Sequence, residues 1–133
     1  MYTFKKEERL CNQRLLDKLF HNGSSFLVYP FRIVHLLETL PHNISAQVVI
    51  GVSKRKFKHA VDRNLIKRRT REAYRLHKQS LLYSFLKEQD KQIIFSINYI
   101  GKEITDYNFM EKKLIAALKQ LTKAYIEDVH QDA

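Results

Sequence analysis

A dense run of positive charge near the middle of the chain limits how this sequence can fold. Between Lys54 and Arg71 there are nine Lys or Arg residues and one acid, Asp62. Like charges at this density repel one another unless a counter-charge comes from outside the chain. The run must therefore lie at a surface. Nearly all of its charges are positive, whereas a merely solvated face usually mixes both signs. The run therefore indicates a polyanionic ligand.

A helix over about residues 59–83 would divide the second half of this run into two faces. At roughly 100° per residue, polar and basic positions share an arc of about 140°: Arg63, Asn64, Lys67, Arg68, Arg71 and Arg75. The aliphatic residues on the opposite side are Leu65, Ile66, Ala73 and Leu76. A planar guanidinium group contacts two phosphate oxygens at once, so the abundance of Arg predicts a phosphate-binding face.

A basic loop leads into this helix from the preceding strand and carries Lys54, Arg55 and Lys58. Together the loop and the helix predict one continuous cationic surface, for which nucleic acid is the usual partner. The sequence contains no dimerisation heptad, and nothing in it resembles a recognition helix that follows a tight turn. We therefore favour structured RNA over DNA as the ligand.

Apolar periodicity along the rest of the chain predicts an α+β fold in the order α-β-β-α-β-α. The predicted helices cover about residues 10–20, 59–83 and a last segment with an apolar stripe from Met110 to Tyr125, and the predicted strands cover about 26–37, 46–52 and 91–100. A single mixed sheet covered by helices is the most economical arrangement. Only three Gly and two Pro interrupt the chain, so residues 1–133 are predicted to form a single RNA-binding domain.

Composition excludes several classes of protein. A net charge of +10 with 44% hydrophobic residues indicates a folded basic domain rather than a disordered tail. Cys11 is the only cysteine, so no internal disulfide supports the fold. No apolar run approaches the ~18 residues of a membrane helix, and the N-terminus lacks the apolar core of a signal peptide. We expect a cytoplasmic protein with no membrane partner.

The titratable residues predict no catalytic site in this chain. Its carboxylates are scattered and form no acidic cluster of the kind that a two-metal nuclease needs. Its six His residues have no metal-ligand spacing. We therefore expect no catalytic residue and no cofactor bound by the chain alone.

The basic segment resembles the RNR signature of the bacterial ribonuclease P protein subunit. The matching positions are Val52, Ser53, Lys54, Arg55, Lys58, Ala60, Val61, Arg63, Asn64, Ile66, Lys67, Arg68, Arg71 and Glu72. Residues 4–10, and residues 19–23 before a strand, are also similar to this family, so the resemblance extends over most of the chain. One position departs from the signature, because Leu65 stands where family members usually carry an Arg.

This resemblance implies a ribosomal protein S5 domain 2-like sandwich with a left-handed βαβ crossover. It also implies the protein subunit of a ribonucleoprotein that removes the 5′ leader of precursor tRNA by hydrolysis of one phosphodiester bond. In that family the Mg²⁺ ions are held mainly by the catalytic RNA, while the protein binds the catalytic RNA and the precursor tRNA and aids affinity for substrate and metal. We expect catalysis to lie in the RNA, and we expect no obligate protein partner.

The resemblance also implies two binding surfaces. The catalytic RNA would contact the cationic surface, which comprises Lys54, Arg55, Lys58, Arg63, Asn64, Lys67, Arg68, Arg71 and Arg75. The single-stranded leader would lie in a groove between the first helix and the sheet. Its predicted contacts are Leu16, Phe20 and Phe31, with Lys54 and Arg55 at the basic edge. A base stacked on an aromatic ring is worth roughly 1–3 kcal/mol, and the family usually has an aromatic residue in place of Leu16.

Other functions fit the same composition. A ribosomal or other structured-RNA-binding assembly protein, with no role in cleavage, would also be a small basic α+β domain. A protein-only nuclease and a DNA-binding regulator are further alternatives. Cleavage of precursor tRNA by the catalytic RNA with and without this protein separates the first alternative from a ribonuclease P subunit, and incubation with the protein alone tests for a protein-only nuclease.

Overall fold

The computed structural model describes residues 3–41 and 43–132. Its helices are α1 (Gln13–Asn22), α2 (Ala60–Lys78), α3 (Ser84–Glu88) and α4 (Tyr107–Asp132). Its strands are β1 (Ser24–Val28), β2 (Phe31–Leu37), β3 (Ala46–Val52) and β4 (Ile93–Tyr99). A 3₁₀ turn (Lys6–Glu8) precedes α1, and a π-helical turn (Gln79–Tyr83) joins α2 to α3. Over the described residues, none of the helices is long and apolar enough to cross a membrane.

The four strands form one mixed sheet in the order β1-β2-β4-β3. Strand β2 runs antiparallel to both β1 and β4, whereas β3 and β4 run parallel, with Ala46 opposite Ile93. Parallel neighbours need a long crossover, and α2, the π-helical turn and α3 supply it. The predicted α+β class, with a single mixed sheet covered by helices, is confirmed.

One predicted strand is a hairpin, so the predicted order α-β-β-α-β-α was one strand short. The region predicted as a strand over 26–37 contains the end of β1 and all of β2, and Val28 pairs with Phe31 across the turn formed by Tyr29 and Pro30. Apolar residues continue through this turn and conceal it. The signal was Pro30, which has no backbone N–H and favours turn positions.

The start of α1 is set by local contacts. Helix α1 begins at Gln13 because the side-chain oxygen of Asn12 accepts a hydrogen bond from the backbone N–H of Leu15 at 3.2 Å. The backbone N–H of Leu10 instead donates to the carbonyl of Val48 at 2.9 Å, which keeps the preceding segment extended. The predicted helix over 59–83 corresponds to α2 and the π-helical turn.

Each face of the sheet packs against helices. The larger core, between the sheet and helices α2 to α4, contains the fully buried side chains of Phe31 and Phe95. The smaller core lies against α1 and contains Leu19, Val34 and Ile94. Successive side chains of a strand point to opposite faces, so Phe31 and Val34 belong to different cores. Helix α1 has only ten residues and leaves part of its face of the sheet open.

Candidate nucleic-acid interface

The residues predicted from the sequence to lie at the centre of the exposed face of α2 are exposed in the structure. Asn64, Arg68 and Arg71 are exposed, and Lys67 is half-buried at the flank. On the opposite side the buried residues are Ile66, Thr70, Ala73 and Tyr74. The predicted aliphatic residues Leu65 and Leu76 are only half-buried. The polar side chain of Thr70 fits the core because its hydroxyl donates to the carbonyl of Ile66 at 2.8 Å.

Three cations on this face have no acidic partner in the part of the chain that the structure describes. Lys67, Arg68 and Arg71 form no ion pair with a described residue. They lie within a little more than one helical turn of each other, which keeps their charges close together. A polyanion that binds across this face would relieve their mutual repulsion.

Arg63 is placed differently from the prediction. Its Nη1 donates to the backbone carbonyls of Phe57 and Lys58, at 2.8 and 2.9 Å. Arg63 therefore holds the loop that precedes α2 rather than projecting from the centre of the exposed face. Because its side chain fixes that loop, Arg63 determines where the cations of the loop lie.

Arg75 is paired within its own helix. Its Nε donates to one carboxylate oxygen of Glu72 at 3.0 Å, and its Nη2 donates to the other at 2.6 Å. These hydrogen bonds raise the pKa of Arg75 and lower the pKa of Glu72. Part of the charge of Arg75 is thus matched inside the molecule, and Arg75 contributes less to the uncompensated positive charge than the sequence suggests.

The loop between β3 and α2 presents the remaining predicted cations. Lys54, Arg55 and Lys58 are exposed. The loop is anchored by Phe57, which is buried and whose ring lies 6.0 Å from that of Tyr99. Because this anchor and Arg63 fix the loop beside the start of α2, its cations extend the charged face of the helix, as predicted.

A part of the sheet next to α1 is open to solvent, and this is where the groove for the leader is predicted from the sequence. Leu16 of α1 is half-buried on the smaller core, and Phe20 is 54% exposed. The open floor contains three residues that neighbour one another across the strands: Arg32 of β2 pairs with Asn98 of β4, which pairs with Gly51 of β3. These three residues are not among the predicted groove residues. The signal was the polar side chains Arg32 and Asn98 at the positions that alternate with core residues.

Phe31 was wrongly predicted to line this groove. Its side chain is fully buried in the larger core, on the other face of the sheet, with its ring centroid 5.9 Å from that of Tyr99. The prediction failed because both faces of the sheet pack against helices, so an aromatic residue on β2 could belong to either. Phe31 is therefore not available to contact a ligand.

Gly51 keeps the floor of the groove flat. A Cβ atom at this position would lie 2.8 Å from Oδ1 of Asn98. The absence of a side chain leaves room for Oδ1 of Asn98 beside β3, while Nδ2 of Asn98 donates to the hydroxyl of Ser96, on the same strand β4, at 3.0 Å. The floor thus offers an amide and, from Arg32, a guanidinium group to an extended ligand.

A family profile described as Ribonuclease P matches residues 4–122. The ribonuclease P protein component of Porphyromonas gingivalis is 32% identical over 117 residues, which cover 88% of this chain and 85% of that protein. The protein of the same name from Petrotoga mobilis is 35% identical over 121 residues, which cover 90% of this chain and 95% of that protein.

The fold is also similar to solved structures. The ribonuclease P protein from Thermotoga maritima superposes with a TM-score of 0.66 at 23% sequence identity. The match covers 85% of this chain and 96% of that chain. At 23% identity this structural match establishes the fold. The sequence matches, which cover most of the chain, establish the family.

Proposed function

This chain belongs to the ribonuclease P protein family, and we propose that it is the protein subunit of ribonuclease P, which binds the catalytic RNA and the 5′ leader of precursor tRNA. Its role in the ribonucleoprotein is to assist removal of the leader and so maturation of the tRNA 5′ end. The observation that carries the proposal is the exposed face of α2, where Lys67, Arg68 and Arg71 have no acidic partner among the described residues.

The catalytic RNA binds to this face and to the adjoining loop. Phosphate contacts supply most of the affinity of such interfaces, and Arg68 and Arg71 offer planar groups that contact two oxygens at once. Asn64, exposed between them and the loop, is suited to a sugar or base edge. Lys54, Arg55 and Lys58 of the loop contact further phosphates, in the position that Arg63 gives them.

The leader lies in the groove beside α1. An unpaired strand exposes both its bases and its backbone, so it is bound by aromatic surfaces together with cations. Phe20 supplies the exposed ring and Leu16 an aliphatic contact one turn before it. Arg32 and Asn98 on the floor, with Lys54 and Arg55 at the end of β3, supply polar contacts.

We assign hydrolysis and its Mg²⁺ ions to the catalytic RNA. Mg²⁺ binds through oxygen ligands, mainly carboxylates and phosphates. The described residues contain no group of three or more His, Cys, Asp or Glu side chains placed to hold a metal ion. The residues of this chain position RNA and neutralise phosphate charge.

Reconstitution of cleavage tests the proposal. Precursor tRNA is incubated with the catalytic RNA of ribonuclease P from the same organism, at a Mg²⁺ concentration too low for the RNA alone. We expect the protein to restore removal of the leader, because its cations replace part of the charge neutralisation that Mg²⁺ provides. Gel analysis of the 5′-labelled leader measures the rate.

The control reactions separate the alternatives. Protein incubated with precursor tRNA alone is expected to leave it intact, and cleavage there would identify a protein-only nuclease. If the protein bound the catalytic RNA without restoring cleavage, an assembly protein would be the better description.

Loss of the exposed ring in the groove is expected to weaken leader binding. Phe20→Ala should raise the Kd of the holoenzyme for precursor tRNA by about tenfold, since one base–aromatic stack is worth roughly 1–3 kcal/mol. Affinity for mature tRNA, which has no leader, should not change. The matched control is Phe109→Ala, which removes a 36% exposed ring from α4 on the other side of the sheet. Equal effects of Phe20→Ala on both RNAs would contradict a role in leader binding.

A further inference from the structure

The N-terminal segment, residues 3–12, lies along the free edge of β3. Arg9 forms a parallel bridge with Val48, and the N–H of Leu10 donates to the carbonyl of Val48 at 2.9 Å. The side chain of Gln47 donates to the carbonyl of Glu7 at 3.0 Å. The segment therefore covers part of an edge strand that would otherwise expose its backbone groups.

A buried carboxylate fixes this segment to the end of α2. One oxygen of Glu8 accepts hydrogen bonds from Nζ of Lys78 and from the hydroxyl of Tyr83, and the other accepts from the N–H of Lys5 at 2.7 Å. Glu8, Lys78 and Tyr83 are all buried, and the hydroxyl of Tyr74 lies 3.2 Å from that of Tyr83. Burial of the carboxyl opposes its ionisation, but these hydrogen bonds outweigh burial and hold the pKa of Glu8 below its usual range.

The π-helical turn makes this contact possible. Lys78 and Tyr83 are five residues apart, so in a regular α-helix their side chains would diverge by roughly 140°. A π turn, with its i to i+5 hydrogen bonds, brings residues five apart to the same side. The turn over Gln79–Tyr83 therefore lets both side chains reach Glu8. Such turns occur frequently at functional sites, and here the turn serves to hold the N-terminal segment.

The segment that is fixed in this way forms one wall of a cationic cleft. The cleft has a volume of about 210 Å³ and a floor of β3 residues, with Arg9 on one side and Lys67 and Arg71 of α2 on the other. The exposed thiol of Cys11 also lines it. None of the described residues that line the cleft is acidic, and none of its three cations forms an ion pair with a described residue.

We propose, on the basis of the function proposed above, that this cleft binds a backbone phosphate of the catalytic RNA and that Glu8 is a positioning residue which holds Arg9 at it. Three cations from two separate elements line one cleft without a counter-charge, and the cleft lies beside the exposed face of α2. The RNA-binding surface thus extends from α2 across the edge of β3 to the N-terminal segment. Neither Arg9 nor Glu8 is among the residues predicted from the sequence to bind RNA.

Alkylation of Cys11 tests whether RNA covers the cleft. Cys11 is the only cysteine of the chain, so modification by N-ethylmaleimide reports on this site alone. We expect excess catalytic RNA to slow the reaction at least tenfold. As a control, a thiol placed on α4 by Lys112→Cys in a Cys11→Ser protein should react at the same rate with and without RNA.

The contribution of Arg9 is measured by the salt dependence of binding. Arg9→Gln should reduce the slope of log K against log salt for the catalytic RNA by about 0.7–0.9, the value for one phosphate contact. Arg14→Gln, which removes an exposed cation from α1, is the matched control and should leave the slope unchanged. If Arg9→Gln left the slope unchanged and RNA did not protect Cys11, the cleft would not be a phosphate site.

A double-mutant cycle tests the positioning role of Glu8. Glu8→Gln alone should reduce the slope as Arg9→Gln does, and Arg9→Gln should have no further effect in that background. Glu7→Gln, at the exposed neighbouring position, should be without effect. An undiminished effect of Arg9→Gln in the Glu8→Gln protein would overturn the positioning role. Failure of the wild-type protein to bind the RNA at all would overturn the proposed function, whereas normal binding without protection of Cys11 would overturn only this inference.

Discussion

Glu8→Ala is expected to lower the free energy of unfolding by about 3–5 kcal/mol, the loss typical when one partner of a buried ion pair is removed. The substitution leaves Lys78, only 4% exposed, with an uncompensated charge, and deprives the hydroxyl of Tyr83 of its acceptor. Urea denaturation followed by circular dichroism measures the change. Glu7→Ala is the matched control, because its side chain is exposed and its loss should cost no more than about 0.5 kcal/mol.

The same carboxylate gives this stability a pH dependence. The pKa of Glu8 is lower in the folded protein than its ordinary value of 4.5, so the folded state favours the ionised form. Its contribution is fully present above pH 4.5 and is lost as the pH falls through the lower, folded-state pKa. The wild-type protein should therefore lose more stability than Glu8→Gln as the pH is lowered from 5 to about 3. Parallel pH profiles for the two proteins would contradict the buried ion pair.

The triple variant Lys67→Gln, Arg68→Gln, Arg71→Gln is expected to reduce affinity for the catalytic RNA about 100-fold at 0.1 M salt, because it removes three phosphate contacts. At limiting protein and low Mg²⁺, cleavage of precursor tRNA should fall in proportion. About 100-fold more protein should restore it, since the chain positions RNA and does not carry out the chemistry. The triple variant leaves Arg63 unchanged because Arg63 holds the preceding loop.

A control variant with the same change of net charge shows whether the loss of RNA affinity is specific to the α2 face. Lys112→Gln, Lys119→Gln, Lys123→Gln removes three exposed cations from α4, which lies on the same side of the sheet as α2 but is a separate helix. This variant should retain cleavage at limiting protein. If an excess of the α2 variant did not restore cleavage, the three substituted residues would have a role beyond RNA binding.

The sequence predicts most of the fold because its local signals agree with its long-range packing. Strand β3 has the predicted bounds 46–52, and the apolar stripe from Met110 to Tyr125 lies on α4 as expected. The errors fall where a local pattern permits two outcomes. The hairpin turn at Pro30 is concealed by apolar neighbours, and the parity of Phe31 does not say which face of the sheet is open.

The sequence predicts the kind of site, a basic helix face, but it predicts the placement of only some of the residues. Charge density and helical periodicity identify the face that carries Arg68 and Arg71, because these depend on neighbours along the chain. Helical periodicity does not reveal that Arg63 turns back to its own loop, since that contact depends on the backbone path before α2. The contact of Glu8 with Lys78 joins residues 70 positions apart and needs the π-helical turn. Nothing local in the sequence indicates it.

The salt dependence of RNA binding tests the central claim most directly, namely that the exposed face of α2 binds RNA phosphates. Filter binding gives the slope of log K against log salt for the wild-type protein and for the two triple variants. Loss of three contacts predicts that the α2 variant has a slope smaller by about 2–3, at about 0.7–0.9 per phosphate, while the α4 variant keeps the wild-type slope. Equal slopes for the wild-type protein and the α2 variant would contradict the claim.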